Sequence, residues 1–515
     1  MTRRAAFLLL GLCIALRAVS LVRPCLSDDE AIYATVAREM LTGHELYRDV
    51  VDHKPPAIYV VYAATQAVAG PVGGMVVLHL LLIGVVFATA MLLARIVRLH
   101  WPGTDSRTPI AAALLYIVYT TTLVDVDGLA ANCELFMMLP LVGAVAVFLD
   151  ARGRLGDHAL AGMLIGVACL FKYQAGIQLP LLGVAALLGG SRRFGPRVAA
   201  AAALGVGFAA TIGFAAAWLW RGGGLDAALF WWKFNLAYIE AGSGRDLVQR
   251  LVLRGGLVVG SAALLYVLGT AAVVAARRDP FVRFMTGWLV VSAIAVFVGG
   301  RFFGHYFHQL TAPLAVLAAP AVVRLWQRRR AVVVAAIAVP AVAFLVLGAL
   351  HDRVMGWYGE PDPDYARVAA WLDARGDGAL CVWGNSPVLY FQANRPLGCR
   401  FVFSNYLTGA SPATATQTRG VDSSRYIVHE AWPMLEADLD EREPRFIVDG
   451  SPGDVASYGK YPPANFPRLA QVLDCAYQPV AEVAGMQIYE RRPAADCGSH
   501  RAARTADPRS AGRVQ

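Results

Sequence analysis

The chain has 515 residues and a formal charge of +9, with 57% hydrophobic and only 16% charged residues. Soluble domains average about 25% charged residues, so this composition argues against a water-soluble protein. The basic residues lie in short loops between apolar runs, which excludes nucleic acid as the partner and leaves them as topology signals.

Apolar runs close to the ~20 residues needed to cross a bilayer recur from residue 5 to residue 350 and then stop. Spans are expected at 5–22, 75–97, 109–124, 131–149, 159–174, 176–190, 198–220, 256–276, 282–299, 309–326 and 331–350, about 11 transmembrane helices in all. Residues 57–70 read as a shorter helix before the second span. The first run follows Met-Thr-Arg-Arg, but Arg-Pro-Cys-Leu stands where a signal peptide would carry small residues. It therefore reads as a retained helix, with Arg17 snorkelling outward.

Six basic clusters then set the orientation: Arg3/Arg4, Arg95/Arg98/Arg107, Arg152/Arg154, Arg192/Arg193/Arg197, Arg277/Arg278/Arg283 and Arg328/Arg329/Arg330. All fall on one side, which the positive-inside rule makes the cytoplasm. The N-terminus is expected there. Segment 23–56, the turn at 125–134, the loop at 231–254, the Arg301 segment and everything after residue 350 are expected outside. Residues 1–350 thus read as an all-α polytopic membrane domain, since an open sheet edge cannot sit in lipid.

After His351 the composition becomes that of a soluble protein. "ALCVWG", "RFVFSN", "RFIVDG" and "MQIYERR" read as short strands bounded by Gly, Pro or Asn, and "DYARVAAWLDARG" as a helix with a glycine stop. Residues 351–495 are expected to form an extracytoplasmic α/β domain, and 496–515 a disordered tail. Cys13, Cys133 and Cys169 read as packing residues. Cys381, Cys399, Cys475 and Cys497 lie where disulfides can form if this part faces an oxidising space. There is no P-loop, no GxGxxG after a strand and no GxSxG.

The chemistry concentrates in "SDDEAIYATVAREMLTGHELYRDVVDHKPP", residues 27–56. Ser27 with Glu30 three residues later is a capping box, and early acids suit the positive end of a helix dipole. Ile32, Tyr33, Val36, Met40 and Leu41 continue at helical spacing. Capping uses one or two of the acids Asp28, Asp29 and Glu30, so a third is available as a general base at the membrane surface. Lys54, fixed before Pro55-Pro56, can face a phosphate, or else a lipid headgroup or the acids.

"DEAIYATVAREMLTG…KPP" resembles the first external loop of the GT-C glycosyltransferases that use polyprenyl-phosphate sugars, among them the protein O-mannosyltransferases and lipid A aminoarabinose transferases. The matching positions are Asp29-Glu30, Tyr33, Arg38-Glu39-Met40 and Lys54-Pro55. "GRFFGHYFHQLTAPLA" and "ANCELFMMLP" resemble a later external segment and the start of the fourth span. The resemblance covers residues 1–350 and says nothing specific of the rest. It implies a polyprenyl-phosphate sugar donor, an extracytoplasmic lipid, glycan or protein acceptor, and inverting transfer. Asp29 would be the base with Glu30 secondary, and Lys54 and Arg301 would contact the donor phosphate.

Tyr33, Glu134, Lys172 and His305 are expected to line the site, and Asp127 to help shape it. Where the aminoarabinose transferases place a metal-binding Glu before the Lys, this chain has His53. One ligand without mapped partners leaves a divalent metal open, and the loop with Lys233 and Asn235 adds no histidine. His305 and His308, three residues apart, can share a helix face and read as packing or headgroup contacts in preference to metal ligands. Lys172 reads as a donor-phosphate contact or as a snorkelling side chain. Two other classes compete. A transporter would carry its charges near span midpoints in two similar halves. A non-catalytic envelope assembly protein would tolerate loss of the acids.

Overall fold

The computed structural model describes residues 2–22, 25–122, 128–151, 153–189, 193–242, 246–349, 364–411 and 420–493; Asp127, Cys497 and the tail 496–515 lie outside them. The chain divides into two units, Met1–Pro361 and Asp362–Gln515.

The first unit is helical. Five of its described helices are long and apolar enough to cross a membrane, and six if Leu247–Ser261 and Ala263–Ala275, bent by 88°, make one broken span. Thr108–Thr121, Leu155–Phe171, Tyr173–Leu188 and Arg330–Val346 are shorter apolar helices. Large apolar side chains such as Phe7, Val68, Leu188, Phe214 and Trp220 point outward and are exposed. A surface of that kind is suited to lipid and not to water. At the centre runs His308–Arg328, in which every residue from His308 to Pro320 is buried.

Close helix contacts depend on small residues. A Cβ at Gly162 or at Gly207 would overlap the carbonyl oxygen of Leu204 or of Ala159. The Leu155–Phe171 and Phe194–Arg221 helices therefore meet backbone to backbone, as small residues permit within a membrane.

Two features of this unit position the site. The helix Ala57–His100 breaks at Gly70, where φ is 72° and ψ 179°. Pro71 disfavours a helical residue before it, and only glycine takes that positive φ without strain. The break separates a short helix, which follows Lys54, from the long apolar helix after it. Arg17, in turn, does not snorkel. It is fully buried, and its guanidinium donates to the carbonyls of Leu129 at 2.6 Å and Gly128 at 3.4 Å. Those loop carbonyls satisfy the guanidinium within a packed helical interior.

The second unit carries a four-stranded sheet: β1 (Leu380–Trp383), β2 (Phe446–Asp449), β3 (Tyr477–Val483) and β4 (Met486–Arg491), in the order β1-β2-β4-β3. β1 and β2 are parallel, and the other pairs antiparallel. The expected strand in "RFVFSN" is absent. Phe401, Val402 and Phe403 are all buried in an irregular segment. It is held by the Cys381–Cys399 disulfide and by Ser404, whose N–H donates to the Gly384 carbonyl. β3 was not legible because its sequence, "YQPVAEV", contains Pro479; an edge strand with a register shift between Pro479 and Ala481 accommodates it.

The disulfide closes a loop of 18 residues. Replacing Cys399 with Ala is expected to cost this unit about 3 kcal/mol through chain entropy. Denaturant unfolding of oxidised wild type and variant, read on the Trp383 environment, checks it.

Candidate active site

The site starts from helix capping. The Ser27 side chain accepts the Glu30 N–H at 3.3 Å and begins the helix Asp28–Leu41. Glu30 completes the box, its Oε2 accepting the Leu26 N–H at 2.6 Å. Its Oε1 accepts the Ala131 N–H at 2.5 Å and lies 3.3 Å from His79 Nε2. Glu30 has no exposed surface. Both oxygens of this expected secondary base are engaged, and the side chain ties the helix Asp28–Leu41 to Ala131 and His79.

Asp29, the neighbouring residue, is turned about 100° around the helix axis. Its Oδ1 and Oδ2 each accept from Lys54 Nζ at 3.1 Å. Tyr33, one turn on from Asp29 and so on its face, accepts from the same Nζ at 2.7 Å. The Cys133 thiol approaches that hydroxyl at 3.5 Å. Asp29 and Lys54 keep 29% and 20% of their side-chain surface accessible, so the pair is partly buried yet within reach of a ligand. Burial pushes the Asp29 carboxyl up, but Lys54 against it, with His305 and Lys172 behind, holds it down at about 2. Burial likewise opposes the Lys54 ammonium, yet Asp29 keeps it above the ordinary lysine range.

The peptide that carries Lys54 is gripped from several elements. Tyr47, at a φ of 69°, donates its hydroxyl to the Lys54 carbonyl at 2.6 Å. The His53 carbonyl accepts from the Tyr173 hydroxyl at 3.0 Å and from Asn235 Nδ2 at 3.1 Å. Buried Asp52 accepts from the Tyr59 hydroxyl at 2.6 Å and the His53 N–H at 2.7 Å. Burial pushes the Asp52 carboxyl up, and His53, Lys54 and the Tyr59 hydroxyl together more than reverse this. The His53 ring lies with Nδ1 3.1 Å from Asp52 and packs edge-on against Phe234. Among the described residues no three His, Cys, Asp or Glu side chains are grouped to hold a metal, so His53 lacks a ligand set.

Deeper lies a second ion group. Glu134, in the first turn of Cys133–Asp150, is paired with Lys172 and lies 3.7 Å from His305 Nε2. Lys172 sits in extended conformation where Leu155–Phe171 ends, its Nζ 4.0 Å from the Tyr306 ring centre. Its side chain is largely buried against these partners. Arg301, the other expected phosphate contact, is fully buried. Its carbonyl accepts from Arg254 Nη1 at 3.2 Å, and the Gly300 carbonyl from Arg250 Nε at 3.0 Å.

The structure brings Asp29, Tyr33 and Lys54 together and places Glu134, Lys172 and His305 behind them. Sequence reasoning did not single out Asp52, Tyr47 or Tyr173, and gave Asn235 no role. Asp52 was legible from its place beside His53-Lys54. The tyrosines carried no local signal.

No family model matches this sequence, and no curated protein does. Solved structures do match. ArnT from Cupriavidus metallidurans bound to undecaprenyl phosphate is similar with a TM-score of 0.61 at 16% identity, over 95% of this chain and 98% of that one. Its apo state gives 0.60 at 17%, over 94% and 97%. The archaeal oligosaccharyltransferase AglB from Archaeoglobus fulgidus, in complex with an inhibitory peptide and a dolichol-phosphate, gives 0.52 at 15%, over 95% and 74%. Both proteins are glycosyltransferases. This chain has the GT-C fold that they share.

The two acids make opposite predictions. Glu30→Gln leaves backbone donors underserved and should destabilise the protein by about 1–3 kcal/mol, seen as a lowered unfolding temperature. Asp29→Asn should unfold within a degree or two of wild type.

Proposed function

We propose that the protein is an integral-membrane glycosyltransferase that moves a sugar from a polyprenyl-phosphate donor to an extracytoplasmic acceptor. One observation carries the reading: a carboxylate and an ammonium, Asp29 and Lys54, sit side by side with part of each side chain accessible. The structural neighbours, whose bound ligands are undecaprenyl phosphate and a dolichol-phosphate, support it. A donor of that kind needs no glycine-rich nucleotide loop, and the sequence has none.

In this reading Asp29 takes the proton of the acceptor hydroxyl or amine. The acceptor atom bonds to the anomeric carbon from the side opposite the phosphate, so the configuration inverts. The anomeric carbon–oxygen bond breaks, and its electron pair stays on the phosphate oxygen. Lys54 neutralises the charge that builds there, an interaction stronger in the transition state than in the ground state. Tyr33, Glu134, Lys172 and His305 shape the field around the pair.

Eleven membrane crossings, a cytoplasmic N-terminus and an outer C-terminal unit over residues 351–495 complete the proposal. The main charges gather at helix ends, at Asp29, Lys54, Glu134 and Lys172, and not in two similar halves. That pattern favours transfer over transport.

Asp29→Asn should lower transfer at least ~10²-fold with expression unchanged, whereas Asp28→Asn should have little effect. Lys54→Ala should reduce both turnover and donor affinity, and Lys54→Arg should restore only part, because a planar fork does not replace a compact ammonium. Steady-state kinetics at saturating donor decides. Wild-type turnover in Lys54→Ala would reduce the lysine to a headgroup anchor.

For topology, a C-terminal reporter active only outside the cytoplasm should be active. A silent reporter would contradict the odd number of crossings.

A further inference from the structure

We propose that the Asp29–Lys54 pair is a latch opened by the donor phosphate, with the Tyr33 hydroxyl as its pivot, so that Asp29 is released as a base only in the donor complex. The inference rests on the glycosyl-transfer reading above and concerns the order of events within it.

An ammonium has three N–H donors. On Lys54 they are directed at the Asp29 carboxylate, whose Oδ1 and Oδ2 each lie at 3.1 Å, and at Tyr33 Oη at 2.7 Å. A phosphate that engages Lys54 competes with the Asp29 carboxylate for the ammonium. Tyr33 cannot withdraw. It is buried to 1% exposure and wedged edge-to-face between Tyr59 and Tyr62, with ring centres at 5.9 and 5.5 Å. Nor can the lysine backbone retreat, since Tyr47 holds the Lys54 carbonyl, and Tyr173 and Asn235 hold the one before it.

Asp29 is the partner able to leave. It stands in the first turn of its helix, makes the two longer contacts and retains 29% of its side-chain surface. The ammonium would therefore turn about Tyr33, exchanging a carboxylate for a phosphate. One anion replaces another, no covalent bond changes and no proton moves. His305 and Lys172 remain within electrostatic reach of Asp29 and keep it ionised after release.

The exchange matters for chemistry. Held by Lys54, the Asp29 carboxylate titrates at about 2 and is too weak a base to draw a proton from a hydroxyl efficiently. Released, it regains basicity at the moment when the electrophile is in place. Tyr33 is then a positioning residue, acting on the reaction through Lys54.

The test uses full-length protein in lipid nanodiscs with undecaprenyl phosphate as the probe. Infrared difference spectra locate the Asp29 carboxylate band by subtraction of Asp29→Asn. Adding the probe should move that band to the position it has in lipid-free Lys54→Ala. Lys54→Ala should weaken probe binding at least ~10-fold, the scale of one lost charge-assisted hydrogen bond. Tyr33→Phe should show the paired band without probe, and should need at least ~10-fold more probe to shift it.

An unmoved band in protein that binds the probe through Lys54 overturns the latch and leaves the proposed function standing. Probe binding indifferent to Lys54→Ala overturns the role of Lys54 on which both depend. A Tyr33→Phe titration that superimposes on wild type removes the pivot.

Discussion

The Lys54 ammonium is held where its surroundings penalise charge, and it stays charged because Asp29 faces it with both oxygens and the Tyr33 hydroxyl accepts from it. Partial burial penalises the cation, and the facing carboxylate offsets that penalty. The two residues must therefore be placed together, although 25 positions separate them in the chain. Much of the surrounding architecture serves that placement. Pro55 and Pro56 stiffen the approach, Tyr47 fixes the Lys54 carbonyl, and Asp52 orders the peptide ahead of it.

The same constraint explains features that look like defects. The break at Gly70 turns the helix after Lys54 away from its span, so that Gln66 can donate to the Ala34 carbonyl and tie the two short helices together. The interruption at Lys172 removes that residue from a continuous helix and lets it pair with Glu134. Glu30, beside the base, reaches into the spans and accepts from Ala131. Two adjacent acids on one helix turn thus have different tasks, decided by the direction in which each points.

The helical character of the first unit was legible because lipid demands long apolar runs, and helix occupies each stretch where one was expected. The break before the second span was legible too, from Gly70-Pro71. The capping box and the helical spacing from Ile32 to Leu41 gave the helix Asp28–Leu41 directly. Asp29 and Lys54 stood out by residue type and by the proline pair. What stayed hidden depends on distance along the chain. Tyr173 and Asn235 reach the His53 carbonyl from more than a hundred residues away, and nothing local marks them. Arg17 was misjudged because snorkelling is a rule for lipid-facing side chains, and the loop carbonyls it meets cannot be placed from sequence. In the second unit, "RFVFSN" has strand composition, but its three buried residues fill a core from an irregular path fixed by a disulfide.

The central claim is that the site at Asp29 and Lys54 receives the phosphate of a polyprenyl carrier. A cryo-electron microscopy map of the full-length protein in nanodiscs with undecaprenyl phosphate tests it most directly. The account predicts phosphate density within hydrogen-bonding distance of Lys54 Nζ, with the Asp29 side chain no longer bridging it. Phosphate density elsewhere, for instance against Arg277 and Arg278, with the Asp29–Lys54 pair intact, would contradict it.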